Sequence, residues 1–196
     1  MGYMPIQPWQ SLRGNAAAFN TRRLLENAGE TFKIGVPVVP SSGYLIESPT
    51  ISSALKIAGF SQEFAANLTT DGVPKTITYG SVQNQPSAVL IPGGVPPNDG
   101  KCGVWIADDV TVFIGQVKVD QTPALTDVGV IYGLTKDGTS GQWYVDKDIT
   151  AAGSGAIVEI VAIPAIPGDV YAPVSGPVAN GKVAFKVTRA AQFFGV

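Results

Sequence analysis

Ser53 and Lys56 stand three residues apart in "SALK", a spacing that some acyl-transfer enzymes use to set a nucleophile beside a base. Cys102 is the chain's one thiol, and Asp99 with Asp108-Asp109 could pair carboxylates for acid/base work. "GSGAIV" at 153–158 begins like a dinucleotide loop, and "DKDITAAGSGAI" at 146–157 begins like a calcium loop. Each fails on its own terms. The Ser-x-x-Lys match has no Ser-Asp-Asn or Lys-Thr-Gly element to accompany it. The glycine run lacks its third glycine and a strand–loop–helix setting. In the calcium frame, Ala151 and Ile157 occupy the places that need glycine and glutamate. The chain has no histidine. That removes His-based triads, His-bound metals and the commonest general base, and it leaves Cys102 with no imidazole to activate it.

The plainer readings are therefore preferred. Cys102 precedes the alternating run "GVWI" and reads as a buried structural thiol. Asp99, Asp108 and Asp109 read as turn and strand-end residues, and "GSG" as a loop leading into a strand. "NLT" at 67–69 is a glycosylation sequon only in a secretory setting, which nothing else in the chain supports. The expectation is a protein that is not an enzyme and needs neither cofactor nor metal.

The elements that would carry these residues are strands. Charged residues make up only 14% of the 196, against about 25% in an ordinary soluble domain. Glycine (23) and proline (15) make up roughly a fifth, against about 12% ordinarily. A weakly charged, turn-rich chain points to β-structure with tight connections, and to some surface covered by partners. The net charge is −2 and the 13 basic residues are scattered, without the basic stripe of a nucleic-acid binder. No apolar run is long enough to span a membrane as a helix. The first 19 residues lack a continuous apolar signal region, and Ile6 stands where a myristoylation motif needs serine or threonine. Synthesis in a cytosol-like compartment is expected, with no nucleic-acid or membrane partner.

The clearest hairpin is "VIYGLTKDGTSGQWYVDK", with strands at 130–135 and 142–146 around the turn chemistry of "KDGTSG". Tyr132 and Leu134 lie on one face of their strand, with Ile131 on the other, and Trp143 and Val145 likewise share a face. Further strands are expected at 55–60, 75–79, 88–91, 103–107, 110–119, 156–163 and 181–188. About ten strands with little helix make an all-β, compact barrel or sandwich-like domain. Residues 29–196 form this domain, with an insertion or lobe at about 67–98. Residues 1–28 read as an extended N-terminal arm stiffened by Pro5 and Pro8, with a short helix over 20–29, capped by Asn20 and stopped by Gly29. Its large apolar groups are Tyr3, Met4, Ile6, Trp9, Leu12 and Phe19, at spacings that fit neither a helical stripe nor strict alternation. They are the candidate partner-binding residues, since aromatic anchors dominate protein interfaces. The alternative is that the arm folds back onto its own β-domain or a sister subunit.

Read in order, "GETFKIGVPVV", "GYLIES" and "LKIAGFSQE", then "DVGVIYGLTKDGTSGQWYVDK", "AIVEIVAI" and "NGKVAFKV", resemble the head decoration (capsid cement) proteins of tailed bacteriophages over about two thirds of the chain. The order of these turn-and-strand pieces carries the likeness. The resemblance implies a compact β-domain that binds the outer face of an assembled capsid and reinforces it. It implies the major capsid protein as partner, a homotrimer, and a location on the virion after synthesis in the host cytoplasm. Two other classes stay open. One is a tail or fibre component of the virion. The other is a carbohydrate-binding β-module using Trp9, Trp105 or Trp143, although Trp105 and Trp143 sit in alternating runs that favour burial.

Overall fold

A two-residue turn with both φ angles positive is what a tight hairpin needs, and Ser42-Gly43 supplies it with φ of 51° and 88°. It joins strand β3 (Pro37–Ser41) to β4 (Tyr44–Glu47), with Ser41 opposite Tyr44. The computed structural model describes residues 4–11, 19–49, 56–65, 101–150, 155–164 and 181–194. Within them lie nine further strands: β1 (Gln7–Ser11), β2 (Thr21–Leu25), β5 (Gly59–Ser61), β6 (Lys101–Ile106), β7 (Thr111–Gln116), β8 (Ile131–Lys136), β9 (Trp143–Thr150), β10 (Ala156–Ala162) and β11 (Lys182–Val187). The only helical elements among the described residues are two single 3-10 turns, at Leu125–Asp127 and Arg189–Ala191. The protein is all-β, as expected.

Two antiparallel sheets pack together. One has the order β1-β7-β11-β10-β8-β9 and the other β2-β6-β5-β3-β4. Each holds a closed ring of strands, and in the larger sheet β1 lies outside the ring, paired to β7. In the second sheet Glu26 bridges Leu45 in parallel, and the Asn27 amide donates to the Leu45 carbonyl at 3.0 Å. In the first, Val117 bridges Val145 in parallel, and the Lys118 amide donates to the Val145 carbonyl at 2.9 Å. Both closures are parallel for one reason. Each ring holds five strands joined by four antiparallel pairings, and an even number of reversals leaves the first and last strands running the same way.

One core fills the space between the sheets. Phe60 of β5 meets Phe113 of β7 with ring centroids 4.7 Å apart, and Phe185 of β11 lies 6.0 Å from Phe60. These are offset and tilted arrangements of the kind aromatic rings prefer. Polar ties reinforce the join. Trp143 is 2% exposed and donates its indole N–H to Glu47 Oε1 at 2.9 Å, and Lys136 Nζ reaches the same oxygen at 2.8 Å. Lys33 Nζ donates to the Ser140 carbonyl at 2.6 Å, fixing the β8–β9 hairpin tip to the connection between β2 and β3.

Two expectations need correction. The segment 20–29 is not a helix: Thr21–Leu25 is β2, paired along its length with β6 from Thr21–Trp105 to Leu25–Lys101. Tertiary pairing overrides a short, locally plausible helix, which a single cap cannot sustain in so few residues. The described parts of 1–28 also do not stand apart from the body. β1 pairs with β7, β2 pairs with β6, and the segment contributes a strand to each sheet. The expected strand at 110–119 is shorter, because a turn at Lys118–Gln121 ends it. The strands expected at 75–79 and 88–91, and the lobe at 67–98, lie outside the described residues.

Candidate interaction surfaces

The N-terminal residues singled out for partner binding have different fates. Ile6 is fully buried. Its side chain packs against Gly115 and its backbone passes over Gly35, where an added Cβ would stand 2.6 Å from the Ile6 nitrogen. With φ at 77°, Gly35 is a position that glycine alone fills without strain. Ile6 is therefore a core residue and offers no exposed surface to a partner. Met4 and Phe19 are half-buried, and the Met4 amide donates to Gln116 Oε1 at 3.1 Å. Trp9 is 41% exposed, at a break in the β1–β7 register between Pro8 and Gln10. Tyr3 and Leu12 lie outside the described residues. The structure thus leaves Trp9 as the most accessible of the described candidates.

Cys102 sits where a thiolate is disfavoured. Burial pushes its pKa up, and the negative charges of Glu63 and Glu26 push it further the same way. A reactive cysteine needs the opposite surroundings. Asp108 serves its strand end: Oδ1 accepts from the Thr111 amide at 2.8 Å and the Val110 amide at 3.1 Å. Asp137 does the same for the hairpin tip, accepting from the Ser140 amide and hydroxyl and from the Thr139 amide, which together hold its carboxyl below the usual range. Ser53, Asp99 and the 67–69 sequon lie outside the described residues. Among those described, no group of three or more metal-ligating side chains forms, and no helix is long and apolar enough to cross a membrane.

The densest polar construction was not legible in the sequence. It braces the connection from β7 to β8. Asp127 is nearly buried; its Oδ1 accepts from the Tyr132 hydroxyl at 2.8 Å, and its Oδ2 from the Ala124 amide at 2.7 Å and Lys147 Nζ at 2.8 Å. Burial alone would raise the Asp127 pKa, but the bonds from Lys147, Ala124 and Tyr132 outweigh it and hold the carboxyl below its ordinary value. The Tyr132 phenol, buried and bonded to that carboxylate, is pushed up to about 12. Lys147 Nζ also donates to the Thr122 carbonyl at 2.8 Å. Gln121 donates to Asp146 Oδ1 at 2.8 Å and accepts from the Lys147 amide at 2.7 Å. Lys118 Nζ stands 3.2 Å from Asp148, 3.6 Å from Asp146 and 4.0 Å from Asp120. These partners are 20 or more residues apart in several cases, so no local spacing announces them.

What this frame presents is apolar. Leu125 is 82% exposed, the highest value among the large exposed apolar side chains described, and Val119 and Val128 on the same connection are also exposed. On the opposite sheet Tyr44, beside the Ser42-Gly43 turn, and Leu25 face outward as well. Single exposed apolar side chains are ordinary. A leucine held out on a backbone tied by this many hydrogen bonds is a preorganised contact, because little freedom remains to be lost on docking. No protein-family model, curated protein or solved structure matched the chain.

Proposed function

We propose that this chain is a structural protein of a tailed-bacteriophage virion. In this reading it is a non-enzymatic decoration protein that binds the outer face of the assembled head as a small oligomer, a trimer being the favoured form. Its partner is the major capsid protein, and it is made in the host cytoplasm. The observation that carries the reading is the set of large apolar side chains, Trp9, Tyr44 and Leu125, held outward by strands and braced turns. The ordered likeness of the turn-and-strand pieces to cement proteins supports it. Those pieces supply scaffold here: the Gly35 turn, the β3–β4 hairpin, β5 and the β8–β9 hairpin.

The mechanism is multivalent clamping. Each contact with a capsid subunit is modest, but an oligomer that engages several subunits makes the later contacts intramolecular, raising avidity by about 10²–10⁴. A protein that binds the assembled shell and not free subunits stabilises the shell by mass action. The test is cosedimentation with bare capsids and with unassembled capsid protein, together with the melting temperature of the shell. Saturable binding to capsids and a raised shell melting temperature are expected. Equal affinity for unassembled subunits overturns the clamping mechanism. Binding to a glycan array with none to capsids would favour the carbohydrate-module alternative.

A further inference from the structure

The connection from β7 to β8 is held by charge more than by the core. Among the described residues, the core cluster takes Val117 before it and Tyr132 after it, but none from 118 to 129. Within 119–128 the buried residues are Pro123 and Asp127, while Val119, Leu125 and Val128 face outward. A stretch that buries so little apolar surface gains little from the hydrophobic effect. Its anchors come from β9. Tyr132 of β8 stands opposite Thr150, yet the next residue, Gly133, stands opposite Asp146, so residues 147–149 bulge out of β9. A bulge re-aims side chains, and this one brings Lys147 to the connection. Lys147 Nζ reaches Asp127 Oδ2 and the Thr122 carbonyl, both at 2.8 Å. Gln121 meets the same stretch twice, donating to Asp146 Oδ1 and accepting from the Lys147 amide.

Asp127 is the hub. Its one carboxylate ties the connection to Tyr132 of β8, to Lys147 of β9 and to the Ala124 amide of its own turn. The other charged groups at this end are Lys118 with Asp120, Asp146 and Asp148, Lys182 at the start of β11, and Glu159 of β10, which pairs with Lys186 at 3.2 Å. We infer that residues 119–129 form a strap latched by the Asp127–Lys147–Tyr132 contacts, and that neutralising Asp127 opens the strap while both sheets stay folded. Removing one partner of a nearly buried ion pair leaves the other charge uncompensated. Lys147 is only half-buried, so it recovers its hydration by swinging outward, and the strap has no core side chain to keep it in place. Such an opening is local and needs less free energy than unfolding the chain. The bonds to Asp127 hold its carboxyl below the ordinary value. The latch is therefore shut above about pH 4 and released as the pH falls through the folded value. Leu125 is carried on the strap, so opening it disperses the preorganised contact.

The test is amide hydrogen exchange on the full chain without any partner, comparing wild type with Asp127→Asn at neutral pH. Each rate is divided by the intrinsic rate for its sequence and pH. The reporting amides are those of Val128, Gly129 and Val130, which donate to the Leu125, Ile160 and Asp127 carbonyls. The reference amides are those of β7 and β11. In wild type at neutral pH the reporting amides are expected to be protected, though less than the reference amides. In Asp127→Asn they are expected to approach unprotected rates, while the reference amides stay at least about a hundredfold more protected. Wild type at about pH 3 is expected to show the same split, with no substitution made. Reporting amides as protected in the variant and at low pH as in wild type at neutral pH overturn the latch. Reporting and reference amides that exchange alike overturn it too, because the connection then opens only with the whole molecule. A variant that unfolds throughout, by far-UV circular dichroism, has the same meaning.

Discussion

Three glycines with the same backbone sign separate conformational strain from steric exclusion. Gly29 and Gly43 have φ of 82° and 88° with open space where a Cβ would go, whereas Gly35 has the Ile6 backbone in that space. Gly29→Ala and Gly43→Ala should each cost about 1 kcal/mol, the left-handed penalty alone. Gly35→Ala should cost more than about 2 kcal/mol, because it adds a backbone clash that no rotamer change relieves. Urea titration of the three variants measures the difference. Asp127 gives a second test, and its sign follows from its partners. Its folded pKa lies below the unfolded value of about 3.9. Its contribution is therefore present above that value and lost as the pH falls through the folded pKa. The melting temperature should be insensitive to this group from pH 8 to about 5, then fall below about pH 4. Asp127→Ala, which strands Lys147 and Tyr132, should cost about 2–4 kcal/mol at neutral pH and flatten that acid decline.

At the scale of elements, the N-terminal segment decides what can be removed. β1 and Ile6 belong to the larger sheet and its core, so deleting residues 1–11 should lower the melting temperature. Ile6→Ala alone should cost about 2–5 kcal/mol. Both are read by thermal denaturation, and an unchanged melting temperature would mean the segment is dispensable to the body. The sequence presents this stretch as an arm because prolines and irregular apolar spacing mask a strand. Pro8 sits just before the register break that lets β1 follow β7. Elements defined by local turn chemistry were legible: the β8–β9 hairpin, the positions of β6, β10 and β11, and the burial of Trp143 and Cys102. Elements defined by distant partners were not. Residues 20–29 read as a helix because their pairing strand, β6, lies some 80 residues away. The Asp127 frame was invisible for the same reason, its lysine lying in another strand.

For the molecule as a whole, the joint between sheets sets cooperativity. Phe60, Phe113 and Phe185 come from both sheets and share one cluster, so neither sheet keeps its core if the other unfolds. Calorimetry should show one transition with equal calorimetric and van't Hoff enthalpies. Phe60→Ala should shift that transition down without splitting it, at a cost of about 3–5 kcal/mol. The parallel bridges that close each five-strand ring have a further consequence, in solubility. An open sheet margin is a template on which another chain can add a strand, and long flat margins seed aggregates. Here the Glu26–Leu45 bridge joins the ends of the smaller sheet, the Val117–Val145 bridge joins β7 to β9, and β1, the edge left outside that ring, carries Pro8 and an irregular register. Chains crowded side by side would therefore meet through side chains and not through backbone strand addition. The protein should stay free of amyloid-type dye binding even at high concentration, which thioflavin fluorescence reads.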